Sequence, residues 1–355
     1  MAGLGGIAAV VIVAAALVCG TSGCSSLGYI GQSVSGHLDL MQAARPVNQW
    51  LADGATSDSL RRKLALSQRM RVFAVRELHL PDNASYTRYA DIGRTAVVWN
   101  VVATPELSLT LKTWCFPVMG CVGYRGYFDK AGADALAAEL RAQGLEVDVY
   151  GVPAYSTLGW TNWLGGDPLL STFINWPDAE VARLVFHELA HQVAYARDDT
   201  AFNESFAVAV ERIGGTRWLA VEGDASSLRE FEAVQARRQE FRALTLKTRT
   251  ALAGLYGEPL SDADKRRRKA ELFDTLRADY ARLKSERWGG FAGYDGFIAR
   301  ANNATLAVQG AYNDLVPEFE RLFGRLGGDF DAFYAEVKRL AALPKAERHA
   351  TLRTP

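Results

Sequence analysis

Two of the five histidines in this 355-residue chain stand four apart in HELAHQ, as His187 and His191, with Glu188 between them. Thirteen residues past His191, Glu204 follows Asn203 in FNESFA. On a helix, residues i and i+4 lie one turn apart on the same face, so both imidazoles could reach one metal ion. Placed on a helical wheel, Val181, Val185, Phe186, Leu189, Ala190 and Val193 form one apolar arc. His187, Glu188 and His191 fall on the opposite arc and do not belong to the buried face. Glu188 is offset by one residue, so it points beside such an ion, where a carboxylate can take a proton from metal-bound water.

Two elements must position these groups. Pro177, Asp178 and Glu180 mark the start of a helix predicted over 177–196. ARDDT breaks it, and AFNESFAVAVERIGG resumes helical spacing until Gly214 and Gly215 end it. So short a connection predicts antiparallel helices. Counted from a turn centre at Asp198 and Asp199, His191 lies about seven residues back and Glu204 about six forward. At 1.5 Å per residue that is the same level to within roughly 3 Å. Glu204 then supplies the third ligand. Two His and one Glu leave one position open, the donor set of a catalytic zinc, one ion per chain. Asp198 and Asp199 either orient His191 or cap the second helix.

HELAHQ followed by NESFA resembles the zinc signature of gluzincin aminopeptidases, HELAHQ, a spacer, then NEGFA. The resemblance implies His187, His191 and Glu204 as ligands and Glu188 as general base. Glu211 sits at the longer gluzincin spacing, on the same face as Glu204, and is the alternative third ligand. More broadly, the stretches CFPVMGCVGYRGYF, AYSTLGW, DPLLSTF, HELAHQ and FNESFA resemble a family of bacterial lipoproteins described as predicted aminopeptidases. That likeness implies a zincin-like α+β fold and hydrolysis of a peptide substrate. The Gly-x-Met-Glu-Asn strand with which gluzincin aminopeptidases hold a substrate's amino group is missing, and Asp167 and Asp199 are the acids that could replace its glutamate. An envelope endopeptidase and a non-catalytic, zinc-stabilised lipoprotein scaffold are the alternative readings. A tetrahedral oxyanion needs a second donor, for which Tyr312 is the candidate and Tyr155 the alternative. The segment around Tyr155 could instead pair with an extended peptide, and Asn302 and Asn303 either bond a substrate backbone or cap a helix. Trp160, Trp163 and Trp176 crowd the approach to the motif helix, as cleft wall or as core.

The rest of the chain sets the context. Forty basic and forty acidic residues cancel, which gives no electrostatic case for a nucleic-acid partner. The one basic cluster, Lys265 to Lys269, lies in a helical pattern among acids and reads as a solvated face. Leu4 to Val18 is almost purely apolar, too short to span a bilayer comfortably but suited to a secretory signal. TSGCSS after it resembles a lipoprotein cleavage site, which makes Cys24 the lipidated N-terminus, and Ser25 resembles an outer-membrane sorting residue. Ordinary signal-peptide cleavage, or a retained anchor, is the alternative. The expected location is the outer membrane, facing the periplasm, with a lipid anchor as the contact to the membrane and the oligomeric state open. Export into an oxidising compartment leaves Cys115 and Cys121, six apart around Pro117 and Gly120, as a disulfide.

Four regions follow: a signal over 1–24, a tether leading into a helix over 25–46, an α+β sheet region over 47–176, and a helical region over 177–355. TAVVWNVVAT and LSLTLKTW, separated by Pro105, read as a pair of strands. DKAGADALAAELRAQG reads as a helix stopped by Gly144, followed by a strand in LEVDVYGV.

Overall fold

The computed structural model describes residues 24–116, 120–154, 165–223 and 225–354. It is a mixed α/β protein with small sheets and a large helical part. The largest sheet has the order β6-β3-β7 and is antiparallel throughout. Its centre is β3 (Val98–Pro105), flanked by β6 (Arg125–Tyr127) and β7 (Leu145–Val152). Helix α4 (Lys130–Ala142) starts at Asp129, whose side chain accepts from Gly132 N, and the chain turns at Gly144 with φ 80°. Its small residues Ala133 and Ala137 let it lie close on Val101, Ala103 and Val147 of the sheet.

LSLTLKTW does not form the second of the two expected strands; within it only Trp114 joins a strand, β4 (Trp114–Phe116). The backbone of the intervening segment is used elsewhere. Asn303 Nδ2 donates to the carbonyls of Glu106 and Ser108, and Lys269 Nζ to that of Glu106. β3 is left to pair with β7 over its whole length. The expected tether is also replaced. Residues Cys24–Ala43 form helix α1, held to β6 and its neighbours by Gln32, which accepts from Phe128 N.

The motif helix is α5 (Asp178–Ala190), shorter than the span predicted from periodicity. A second helix, α6 (Thr200–Glu222), follows after the turn, and the two pack together with Val185, Phe186, Leu189, Phe202 and Phe206 almost fully buried. Each such side chain contributes about 1.5–3 kcal/mol by leaving water. Gly214 and Gly215 do not end α6, which runs on to Glu222. They are the places where α5 comes too close for a side chain. A Cβ on Gly214 would lie 2.9 Å from Phe186 Cδ2, and one on Gly215 2.7 Å from Arg183 Cγ.

Beyond α6 the helices α7 (Ala225–Gly257) and α8 (Asp262–Glu286) enclose a second core of Phe241, Phe273, Leu276 and Tyr280. Each arginine of the basic cluster on α8, Arg266, Arg267 and Arg268, meets an acid at the surface. α9 (Asp295–Arg300) and α10 (Asn303–Asn313) send Ile298 and Leu306 into the second core, while α11 (Val316–Arg325), α12 (Phe330–Ala341) and α13 (Lys345–Arg353) complete the main one. Asn302 caps α10 in a reciprocal capping box with Thr305, so both asparagines weighed for substrate binding serve the scaffold. No described helix is long and apolar enough to cross a membrane.

Candidate metal centre

His187 occupies the last turn of α5 and His191 caps its end, still in helical geometry. Glu204 stands in the second turn of α6, as the antiparallel count requires. One donor atom from each of the three lies within 4.8 Å of the others. His187 Nε2 and His191 Nε2 are 3.1 Å apart, and Glu204 Oε2 is 3.4 Å from the first and 3.7 Å from the second. Three ligands about 2.0–2.1 Å from a tetrahedral ion stand about 3.3 Å from one another. The three separations bracket that value, so the donor set fits zinc without rearrangement.

Glu211 takes a different place from Glu204. Its Oε2 lies 2.9 Å from His187 Nδ1, on the side of the ring facing away from the other donors. A carboxylate there holds the proton on Nδ1 and leaves Nε2 free as a ligand. Glu211 is itself gripped by Arg183, which is 3% exposed and also bonds Glu180 at 2.9 Å. Arg238 then bonds Glu180 at 2.7 Å. Burial opposes the ionisation of Glu211, but Arg183 and His187 outweigh it and hold its carboxyl down at about 2. Burial likewise opposes charge on His187, yet its bonds to Glu204 and Glu211 raise it well above the ordinary imidazole range. Burial pulls His191 down to about 4, which keeps that ring neutral. Its Nδ1 is buried with no partner among the described residues.

Glu188 is 8% exposed, on the other side of α5's tip. Burial pushes its carboxyl up to about 7, with His187 acting against that rise and Glu204 and Asp167 adding to it. Asp167 and Tyr86 share this buried region, at 2% exposure each. The Tyr86 hydroxyl has no partner among the described residues, and its backbone is left-handed, with φ 64°. That conformation is held by Tyr86 N donating to Asp167 O at 2.7 Å.

Several groups that hold the site had not been singled out. Gln192, next to His191, accepts from Asn83 Nδ2 at 2.7 Å and donates to Ser85 Oγ at 3.1 Å. Asn203, next to Glu204, closes both polar groups of Ala196, accepting from its N at 2.7 Å and donating to its O at 2.8 Å. Polar residues flanking ligands were a visible signal for both; nothing in the sequence marks Tyr86.

Neither aspartate of the turn orients His191. Asp199 caps α6 through Phe202 N and is buried against Arg348 at 2.6 Å and His349 at 2.8 Å. Asp198 accepts from Cys121 N at 2.5 Å. Cys115 and Cys121 are joined by a disulfide across the hairpin of β4 and β5 (Gly120–Val122). Trp176 packs on Phe173 near the far end of α5, away from the histidines. Tyr155, Trp160 and Trp163 lie outside the described residues, as does the side chain of Tyr312, whose backbone belongs to the last turn of α10. Cys24 is the first residue of α1, and its side chain also lies outside them.

The arrangement sets three donors close together beside a buried carboxylate, Glu188, one residue from His187. No curated protein and no solved structure matches the chain. A family model does, over residues 28–352, nearly the whole described chain, and the protein belongs to that family, described as Putative aminopeptidase.

Proposed function

We propose that this protein is a zinc-dependent peptidase, acting as an aminopeptidase, with one zinc ion per chain held by His187, His191 and Glu204. The observation that carries this is the set of donor separations, 3.1, 3.4 and 3.7 Å, which match the edges of a tetrahedral site. A zinc ion bound there supplies a polarised scissile carbonyl and a water of lowered pKa. Glu188 takes the water's proton as the oxygen bonds to the carbonyl carbon. It returns that proton to the amine nitrogen as the C–N bond breaks. Glu211, backed by Arg183, keeps the His187 ring in register for this chemistry. Of the two acids weighed for the substrate's ammonium group, Asp199 is consumed by Arg348 and His349. That leaves Asp167, whose charge is felt by Glu188.

The signal-like N-terminus supports export, with lipid on Cys24 and an outer-membrane location facing the periplasm. The disulfide suits that compartment.

The test uses the signal-free chain, loaded with zinc, against a defined mixture of synthetic peptides read by mass spectrometry. Stepwise shortening from the amino terminus is expected, and Glu188→Gln should lose it while binding zinc as the wild type does. Internal cuts would move the reading to an endopeptidase. An uncut mixture from both proteins would leave a zinc-stabilised scaffold.

A further inference from the structure

The disulfide hairpin lies outside the sheets that build the core. Among the described strands, β4 and β5 pair only with each other, over three residue pairs with Cys115 opposite Cys121. A two-stranded hairpin of that length is marginal in water, so the covalent bond between its strands is what fixes it. Cys115 is exposed in the middle of β4, which leaves the bond open to thiol–disulfide exchange.

The hairpin so fixed touches two places. Phe116 lies against Tyr29 of α1, with ring centroids 5.4 Å apart. From β5, Cys121 N donates to Asp198 Oδ1 at 2.5 Å, in the turn between the helices that carry His187, His191 and Glu204. Gly120, at φ 75°, is buried against that turn: a Cβ there would meet Asp198 Cγ at 2.8 Å and Arg197 Cγ at 2.9 Å. Asp198 itself holds a left-handed backbone, φ 61°, which side-chain sterics disfavour. Helix α6 starts at Thr200, two residues on, and Glu204 follows in its second turn. Asn203 and Arg348 hold the turn on either side of Asp198, at Ala196 and Asp199, through bonds that no reductant opens. The hold of Cys121 on Asp198 depends on a bond that a reductant does open.

We propose that the Cys115–Cys121 disulfide is a redox switch on the metal centre, opened by a protein dithiol, so that the reduced protein binds zinc more weakly. This rests on the zinc-site reading above. A thiolate of the partner attacks one cysteine sulfur, a mixed disulfide forms, and the other cysteine leaves as a thiolate. The partner's second thiolate then attacks the mixed disulfide, which releases the first cysteine and closes the partner's own disulfide. Two electrons pass from the dithiol to the hairpin, and the two cysteine thiolates take up the protons the partner gives up. The freed strands lose the geometry that presents Cys121 N to Asp198, and the turn that sets Glu204 against the two histidines loosens.

The experiment reduces the folded, signal-free chain with dithiothreitol, caps its thiols with iodoacetamide and removes both reagents. Zinc affinity by chelator competition, and amide exchange in the turn between α5 and α6, are compared with those of oxidised protein given the same iodoacetamide. Cys115→Ala with Cys121→Ala opens the hairpin without a cap, and Asp198→Gly removes the acceptor while allowing φ 61°. Zinc affinity is expected to fall about tenfold on reduction, the lower end of what losing a partner behind a ligand costs. The double variant should match the reduced protein, and Asp198→Gly should already bind weakly and lose little more on reduction. Equal affinities before and after reduction would overturn the proposal. So would a loss on reduction as large in Asp198→Gly as in the wild type, because the effect would then bypass this contact. If the oxidised protein binds no zinc, it is the metal reading that fails, and amide exchange decides the switch. Faster exchange of the turn on reduction upholds the coupling, and unchanged exchange ends it.

Discussion

At the scale of single residues, Glu204 and Glu211 show how one helix face can carry two carboxylates with separate tasks. They are seven apart on α6, two turns, and both reach His187. Glu204 meets Nε2 on the side shared with His191, whereas Glu211 meets Nδ1 on the far side. Spacing alone left either as third ligand, because both lie on the same face. The distances separate them, since only Glu204 also approaches His191 Nε2, at 3.7 Å. Glu211→Gln keeps the shape but no longer favours one imidazole tautomer. Zinc affinity is expected to fall about 10–100-fold, as for other partners behind a ligating histidine. Chelator competition reads this directly, and an affinity equal to that of the wild type would assign Glu211 to the scaffold alone.

At the scale of elements, the contact between α5 and α6 decides whether the donors meet. Gly215 is the sensitive point, because the space where its Cβ would sit is taken by Arg183 Cγ at 2.7 Å. In an open helix, Gly→Ala stabilises by about 0.5–1 kcal/mol. Here the added methyl must push Arg183, which bonds Glu180 and Glu211 and is 3% exposed. Overpacking of this kind costs about 1–3 kcal/mol and outweighs the helix gain. Gly215→Ala is expected to lower the melting temperature and weaken zinc binding together, through Glu211. A stabilised variant with normal zinc affinity would show that Arg183 yields freely.

At the scale of the whole molecule, the turn between the ligand helices is closed by the C-terminal end of the chain. Arg348 of α13 is 4% exposed, bonds Asp199 at 2.6 Å, and donates to the carbonyls of Leu340, Ala341 and Leu343. Asp199 is 1% exposed and caps α6. Removing one member of a buried pair leaves the other charge uncompensated, at a cost of about 3–5 kcal/mol. Arg348→Ala is expected to lose stability of that order in urea unfolding, although it lies far along the chain from HELAHQ. A loss below about 1 kcal/mol would mean the turn holds its shape without α13.

What the sequence determined by itself were the things local spacing controls. The i, i+4 pair of His187 and His191, the antiparallel return to Glu204, the strand at LEVDVYGV and the helices over α7 and α8 all follow from periodicity and turn chemistry. What only the tertiary structure decided were the contacts between distant segments. Periodicity ran the motif helix past its end at Ala190, because it cannot see Asn203 drawing Ala196 into a turn. Gly214 and Gly215 looked like a helix stop, because a glycine chosen for close packing and one chosen for a turn are spelled alike. LSLTLKTW had the composition of a strand, but Asn303 and Lys269, more than 160 residues on, claim the carbonyls of Glu106 and Ser108 at its start. A side chain's periodicity is set by its neighbours along the chain; its hydrogen-bond partner is set by whichever segment folding brings within about 3 Å.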